Sequence, residues 1–183
     1  RTGANYDNVV NMIRDNLSAN PVIVNYPIGS EAEFIGYVDL VQNKAFYFGG
    51  DKGEDVIEGD IPDDISSKVE ELRSELIEFV AEASEDLLNA YLEEGTLSDD
   101  QIIDGLRQRT LAGEVIPVYC GSAFKNKGVQ PLLDAVIDYL PSPLDIGSIE
   151  ATKLNSEDKL QMKFADNEPF SALAFKVAND PFV

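Results

Sequence analysis

The residues best suited to chemistry lie between a predicted buried strand and a predicted helix. The run from Cys120 to Ala123 follows the apolar segment 115–119 and precedes a helix expected to begin at Val129. Ligands of open α/β sheets bind at the carboxyl ends of strands, and small residues there let backbone N–H groups approach a planar base. The same residues also suit a tight turn without a ligand, and their spacing leaves both interpretations open.

Several kinds of catalytic site are excluded by composition. The sequence has no histidine and one cysteine, so Ser-His-Asp and Cys-His nucleophiles and His-based zinc sites cannot be assembled. Cys120 has no base to activate it, and we interpret it as an inert strand residue. No Gly-x-x-x-x-Gly-Lys-Ser/Thr phosphate loop occurs. The Asn-Lys pairs at 43–44 and 126–127 lack the Asp of a guanine-reading Asn-Lys-x-Asp motif.

A row of glutamates is the second candidate site. Its members share one face of a predicted helix over 64–93, at spacings of 4, 3 and 4, and are Glu71, Glu75, Glu78 and Glu82. The apolar residues of this helix fall on another face, so the row should point away from the core. Like charges at this spacing cost about 0.2–0.5 kcal/mol per pair. The row is therefore either a tolerated solvated face or a contact surface for a partner.

The charge is concentrated in the middle of the chain. Of 183 residues, 34 are acidic and 14 basic, a net charge of -20; residues 51–100 hold 18 of the acids and 3 of the bases, a net -15. This change of composition predicts an inserted module. The acidity disfavours autonomous binding to DNA or RNA phosphates. Without an apolar run of membrane length or a signal-like start, we predict no membrane contact and a cytoplasmic location.

Hydrophobic periodicity and turn residues divide the chain into helices and strands. The predicted elements are a helix over 3–17, a buried strand over 21–26, a hairpin of 34–41 and 44–48, the helix over 64–93 with a possible break at Ser84, a helix from the Ser98 capping box to about 112, a strand over 115–120, a helix over 129–140 with Leu132, Leu133, Val136, Ile137 and Leu140 as its apolar side, a region of little core over 142–169, and a strand over 169–177. The order predicts an α/β domain that carries an inserted α+β subdomain.

Longer runs of sequence point to a family. Residues 119–136 read YCGSAFKNKGVQPLLDAV and residues 138–143 read DYLPSP. Five shorter runs occur in the order of the same family: RTGA at 1–4, NPV at 20–22, PIG at 27–29, VDL at 38–40 and PFSALAFK at 169–176. Together they resemble bacterial-type elongation factor G, the translocation GTPases of the ribosome. The resemblance covers essentially the whole chain. Release-type and ribosome-protection GTPases match less well over 122–131.

The resemblance implies the C-terminal half of a P-loop GTPase-type domain with an inserted acidic α+β subdomain, followed by the first strand of a β-barrel domain. The implied ranges are 1–33 and 113–145 for the GTPase domain, 34–112 for the insertion, 146–168 for a linker and 169–183 for the start of the barrel. Ser122 and Ala123 would be the last guanine motif: the Ala123 backbone N–H binds the base oxygen, Ser122 shapes the loop, and Phe124 borders the base. Lys125 and Lys127 would meet phosphate or RNA, or be solvated loop charges.

The resemblance also implies cofactors and partners. The intact parent would use GTP, GDP and Mg2+, with the P-loop, switch regions and Asn-Lys-x-Asp motif expected before Arg1. The backbone contact from Ala123 contributes only about 0.5–1.5 kcal/mol, so we expect the chain alone neither to bind nor to hydrolyse GTP and to need no cofactor. The partner would be the ribosome, including its stalk protein through the acidic insertion, with rRNA contacts mainly elsewhere. The alternative is a non-catalytic acidic module that binds the stalk protein without nucleotide.

Overall fold

The structure is a computed structural model that describes residues 2–50, 53 and 55–179. The chain divides into two compact units, Arg1–Leu140 and Pro141–Val183. Each is considered by itself, the first in most detail because it holds both candidate sites.

The first helix of the first unit, α1 (Tyr6–Leu17), is shorter than predicted. Its N-cap is Asn5, whose side chain accepts a hydrogen bond from the Asn8 N–H at 2.9 Å. Gly3, predicted to be helical, has a φ of +80° and donates its N–H to the Glu31 carboxylate. A left-handed residue stops a right-handed helix from extending further, so the helix begins after the cap.

The run predicted as one strand over 21–26 forms two. β1 (Pro21–Ile23) and β2 (Asn25–Ile28) are separated at Val24. The Val24 N–H donates to the Val118 carbonyl at 3.1 Å, and its own carbonyl accepts from the Leu40 N–H at 2.9 Å. Val24 lies in neither strand, is hydrogen-bonded on both sides at the junction of the two sheets, and is almost completely buried.

β2 opens a four-stranded antiparallel sheet in the order β2-β3-β4-β5, with β3 at Gly36–Asp39, β4 at Lys44–Gly49 and β5 at Asp55–Gly59. The predicted β3–β4 hairpin is confirmed. Its turn is held by Asp39, whose Oδ1 accepts from the N–H groups of Val41 and Gln42 at 2.8 and 2.9 Å. β5 was not predicted, because all its residues are exposed and its sequence lacks the alternation of a half-buried strand.

Three helices cover this sheet and form the core. The segment predicted as one long helix breaks near Ser84 into α2 (Asp63–Ala81) and α3 (Glu85–Glu94), where the Ser84 side chain accepts from the Leu87 N–H at 3.2 Å. α4 (Asp99–Leu111) begins at the predicted Ser98 capping box. The largest fully buried apolar side chains are Val24, Val38, Leu40, Val69, Leu76, Val80, Ile102 and Leu106. Arg73 of α2 donates to the carbonyls of Leu40 and Val41, which fastens this helix to the β3–β4 turn.

β6 (Ile116–Val118) pairs in parallel with β1 and leads, through residues 119–128, into α5 (Val129–Tyr139). The predicted apolar side of α5 is not the side that is buried: Leu132, Leu133, Val136, Ile137 and Leu140 are exposed. The helix instead buries Ala135 and Tyr139. The physical reason is that no other element among the described residues of the first unit covers the leucine-rich face.

The second unit contains α6 (Pro143–Ile146) and an antiparallel hairpin of β7 (Ser148–Thr152) and β8 (Lys159–Lys163). This hairpin lies where a linker was expected. The strand predicted over 169–177 is wrong: residues 169–179 form neither helix nor strand. An extended segment needs a neighbour for its N–H and C=O groups, and the described part of this unit offers none there. The division into functional domains stays a prediction, and β2 pairs with β3 across the expected boundary at residue 34.

Candidate functional site

The loop 120–128, which joins β6 to α5, is closed on itself by backbone hydrogen bonds. The Ser122 N–H donates to the Lys127 carbonyl at 2.8 Å, and the Lys127 N–H donates to the Ser122 carbonyl at 3.1 Å. Ala123–Lys125 form one 3-10 turn between these two residues. Ser122 and Lys127 therefore form the base of the loop, and residues 123–126 form its tip, of which 123–125 are exposed.

Glycine is required where the two arms of the loop meet. Gly128 has a φ of +71°, and a Cβ there would lie 2.7 Å from the Cys120 carbonyl oxygen. A Cβ on Gly121 would lie 2.9 Å from the Lys127 carbonyl oxygen. Both distances are far below an ordinary contact, so any side chain would push the arms apart.

Ser122 and Ala123, the predicted guanine-contact residues, differ in what their backbone groups contact. Ser122 is half-buried with both its backbone N–H and its C=O bonded to Lys127, whereas Ala123 is exposed. The Ala123 carbonyl accepts from Asn126, but its N–H has no acceptor in the part of the chain that the structure describes. Phe124, beside it, is fully exposed. The Phe124 N–H likewise has no acceptor among the described residues. The tip can therefore donate backbone hydrogen bonds to a ligand from Ala123 and Phe124.

The start of the loop is anchored by Asn25, which sequence reasoning missed. This fully buried side chain accepts from the Cys120 N–H through its Oδ1 at 2.7 Å, while its backbone carbonyl accepts from the Tyr6 hydroxyl at 2.9 Å. Its Nδ2 has no hydrogen-bond partner among the described residues. Burial raises the pKa of Tyr6 and keeps its hydroxyl a donor. No signal in the sequence distinguishes Asn25 from an ordinary strand residue.

The surroundings of Cys120 do not activate its thiol as a nucleophile. Burial raises the pKa of its thiol to about 12, and the thiolate, not the thiol, is the nucleophile. The prediction of an inert residue therefore agrees with its surroundings.

The end of the loop is held by Lys127, whose ammonium group donates to the Phe34 carbonyl at 2.6 Å. The sequence left phosphate or RNA contact and a solvated loop charge open for this lysine; in the structure its ammonium group is bonded to a backbone carbonyl of the chain. The aromatic residues near this ammonium group, Phe34 and Phe48, are distant from Lys127 in the sequence. The contact could therefore not be predicted from the sequence, because folding alone brings these residues together.

The four glutamates of the row are exposed, as predicted; Glu71, Glu75 and Glu78 lie on α2 and Glu82 is its C-cap. Glu71 pairs with Lys68 at 2.8 Å, and Glu82 lies 3.5 Å from Arg109. Glu75 and Glu78 have no ion-pair partner within the described ranges. The two outer glutamates of the row thus form ion pairs, and the two middle glutamates do not.

Over the described residues, no group of three or more Cys, Asp or Glu side chains is arranged to hold a metal ion. A search of the same part of the chain finds no helix both long and apolar enough to cross a membrane.

The parallel pair β1–β6, the loop at its carboxyl end and the following helix define part of a P-loop GTPase-type α/β domain. Such a domain presents its nucleotide loops at this end of the sheet. The chain belongs to the elongation factor Tu GTP-binding domain family, whose model matches residues 2–142. This is a family of translational GTPases, and its intact members bind guanine nucleotide.

The chain is also similar to a solved protein structure from Thermus thermophilus. The two superpose with a TM-score of 0.68 at 24% sequence identity, over 79% of this chain and 21% of that chain. This chain therefore spans about a fifth of the length of that structure, and the likeness supports the fold alone.

Proposed function

We propose that the chain is part of a translation factor of the elongation factor G type and that residues 120–128 are its last guanine-binding loop. The observation that carries this proposal is the Ala123 N–H, which stands without an internal acceptor among the described residues, on an exposed tip whose base is fixed by Ser122 and Lys127. A binding loop needs this combination of a rigid base and an unused donor.

In this proposal each residue has a separate task. Ala123 donates its N–H to the carbonyl oxygen of the guanine base. Ser122 keeps the donor in place, because its N–H and C=O are both occupied by Lys127. Bound GTP supplies the phosphate bond whose hydrolysis drives movement of tRNA and mRNA on the ribosome in the cytoplasm. Phosphate and Mg2+ would be held by other segments of the intact GTPase.

The 183-residue chain by itself is expected neither to bind nor to hydrolyse GTP. One backbone hydrogen bond contributes about 0.5–1.5 kcal/mol, whereas micromolar affinity requires about 8 kcal/mol. Isothermal titration of the chain with GDP tests this expectation, and binding at micromolar concentration contradicts it.

The guanine contact is tested by Ala123→Pro in the intact GTPase. Proline removes the N–H while keeping a small side chain, and Ser122, with φ -136° and ψ 90°, already has the extended backbone that a following proline favours. The expected result is about a 2- to 13-fold loss of GDP affinity. Gln130→Ala, at an exposed position near the start of α5, is the control. Unchanged affinity in Ala123→Pro refutes the assignment.

We propose further that the glutamate row contacts the ribosomal stalk protein. The middle of the row supports this second function, because Glu75 and Glu78 are exposed and neither forms an ion pair within the described chain. Two rim charges, at about 0.2–1 kcal/mol each, predict about a 2- to 30-fold loss of affinity for the stalk protein in the doubly substituted Glu75→Gln, Glu78→Gln chain. The control carries Glu93→Gln and Glu94→Gln on α3. Equal affinities of the two variants refute the row as the contact surface.

A further inference from the structure

The loop 120–128 is in direct contact with the antiparallel sheet through Lys127. Its ammonium nitrogen donates to the Phe34 carbonyl and lies 5.9 Å from the centre of the Phe34 ring and 5.5 Å from that of Phe48. The two rings pack edge to face at 5.2 Å. A cation over aromatic faces that also bonds a carbonyl is held in one place by two different interactions.

The receiving side of this contact is itself rigid. The Phe34 carbonyl lies next to Ile35, whose N–H donates to Ile28 at 3.0 Å and whose carbonyl accepts from the Phe48 N–H at 2.9 Å. Through these two hydrogen bonds Ile35, just before β3, is bonded to both β2 and β4 close to Lys127. A displacement of the sheet at this corner therefore displaces the atom to which Lys127 is bonded.

Two more contacts join the same sheet to the loop. Asn25, the first residue of β2, accepts from the Cys120 N–H at the start of the loop. A Cβ on Gly53, beyond the end of β4, would lie 2.8 Å from the Lys125 carbonyl oxygen, so this backbone lies directly against the tip. The start of the loop is thus in contact with β2, its tip with the β4–β5 connection, and its end with the β2–β3 connection and the Phe48 ring of β4.

We infer that Lys127 is a positioning residue through which the antiparallel sheet sets the conformation of residues 120–128 and, with it, the affinity for guanine nucleotide. The second half of this inference rests on the proposed function. The route is short: Lys127 is fixed to Phe34 by its side chain and to Ser122 by both backbone groups, and Ser122 precedes the donor on Ala123. Because coupling between two sites is reciprocal, a ligand on Ala123 also stabilises the corner of the sheet at Phe34.

The loop half of the inference is tested by hydrogen exchange on the 183-residue chain. Lys127→Met keeps the length of the side chain and removes the charge and the donor. Exchange of the Ser122 and Lys127 amides is expected to become about tenfold faster, while amides in the α2–α4 core keep their rates. Lys125→Met, on the exposed tip, is the matched control. Unchanged loop exchange, or an equal acceleration throughout the core, overturns the positioning role.

Rescue by the conservative variant separates positioning from simple destabilisation. Arginine also donates to a carbonyl and packs on aromatic rings, so Lys127→Arg is expected to restore at least half of the lost protection. If Lys127→Arg exchanges as fast as Lys127→Met, the contact with Phe34 and Phe48 is not what holds the loop, and the inference fails.

The nucleotide half is tested in the intact GTPase with GDP. Lys127→Met is expected to weaken GDP binding about 3- to 10-fold, and Lys127→Arg to restore it. If Ala123→Pro weakens binding and Lys127→Met does not, the inference is overturned and the proposed function stands. If Ala123→Pro itself has no effect, the guanine assignment fails, and the nucleotide half of the inference fails with it.

Discussion

Gly105 lies at the point where α4 meets the break between α2 and α3, and its replacement by alanine sets two effects against each other. Alanine favours the helix by about 1 kcal/mol relative to glycine. The added Cβ, however, would lie 2.5 Å from Val80 Cγ1 and 2.8 Å from Leu87 Cδ1. Carbon atoms prefer about 3.5–4.0 Å, so fully buried Val80 must move by about 1 Å.

Overpacking of this kind costs about 1–3 kcal/mol, and this contact belongs in the upper part of that range because both neighbours are buried and the Val80 carbonyl oxygen lies only 3.2 Å away. The net expectation for Gly105→Ala is a loss of about 1–2 kcal/mol in the free energy of unfolding, measured by urea titration with circular dichroism.

Two further variants identify the cause. Asp104→Ala, at the exposed neighbouring position of α4, tests helix propensity without added core volume and should be neutral or slightly stabilising. In the double variant Val80→Ala, Gly105→Ala the clash with Cγ1 is absent, so its loss of stability should be smaller than the sum of the two single losses. A Gly105→Ala protein as stable as the parent refutes the reasoning from close packing.

Three shorter predictions concern other contacts. Ser98→Ala removes the capping box of α4 and should lower the unfolding free energy by about 1 kcal/mol, whereas Ser74→Ala on the exposed side of α2 should not; equal effects contradict the cap. Burial raises the pKa of Asp39 above 3.8, so the folded state binds the proton more tightly and the stability from this group is lost as pH rises through the folded pKa. The stability of Asp39→Asn relative to the parent should therefore increase from about pH 4 towards neutrality, and urea titrations that show a constant difference refute it. The Cys120 thiol, with its pKa raised to about 12, should react with iodoacetamide at about pH 8 roughly 100-fold more slowly in the folded chain than in urea; similar rates contradict its burial.

Local signals in the sequence were sufficient to locate α2 to α5, although not the first residue of α1 or the buried face of α5. The cap at Ser98 and the break at Ser84 act over three or four residues, so the pattern that predicts them also contains their partners. The exposure of the glutamate row follows in the same way from helical spacing. Which of the four glutamates is paired did not follow, because Arg109 reaches Glu82 from a different helix.

The strands were less predictable because their stability depends on distant neighbours. β5 has no buried face and exists through its pairing with β4, so no periodicity indicates it. The segment 169–177 has the composition of a strand but no neighbour in the described part of its unit. The bend at Val24, which sends one run into two sheets, required both Val118 and Leu40 to be in place.

The same distinction between local signals and contacts with distant residues applies to the candidate site. The sequence by itself determined where the loop lies, since the small residues from Gly121 to Ala123 and the left-handed Gly128 are local requirements of a tight connection between strand and helix. Only the tertiary structure decided how the loop is held, since Asn25 and Phe34 lie more than ninety positions from the residues they contact. Hydrogen-bond partners so far apart in the chain are brought together by folding of the core, and no local pattern encodes them.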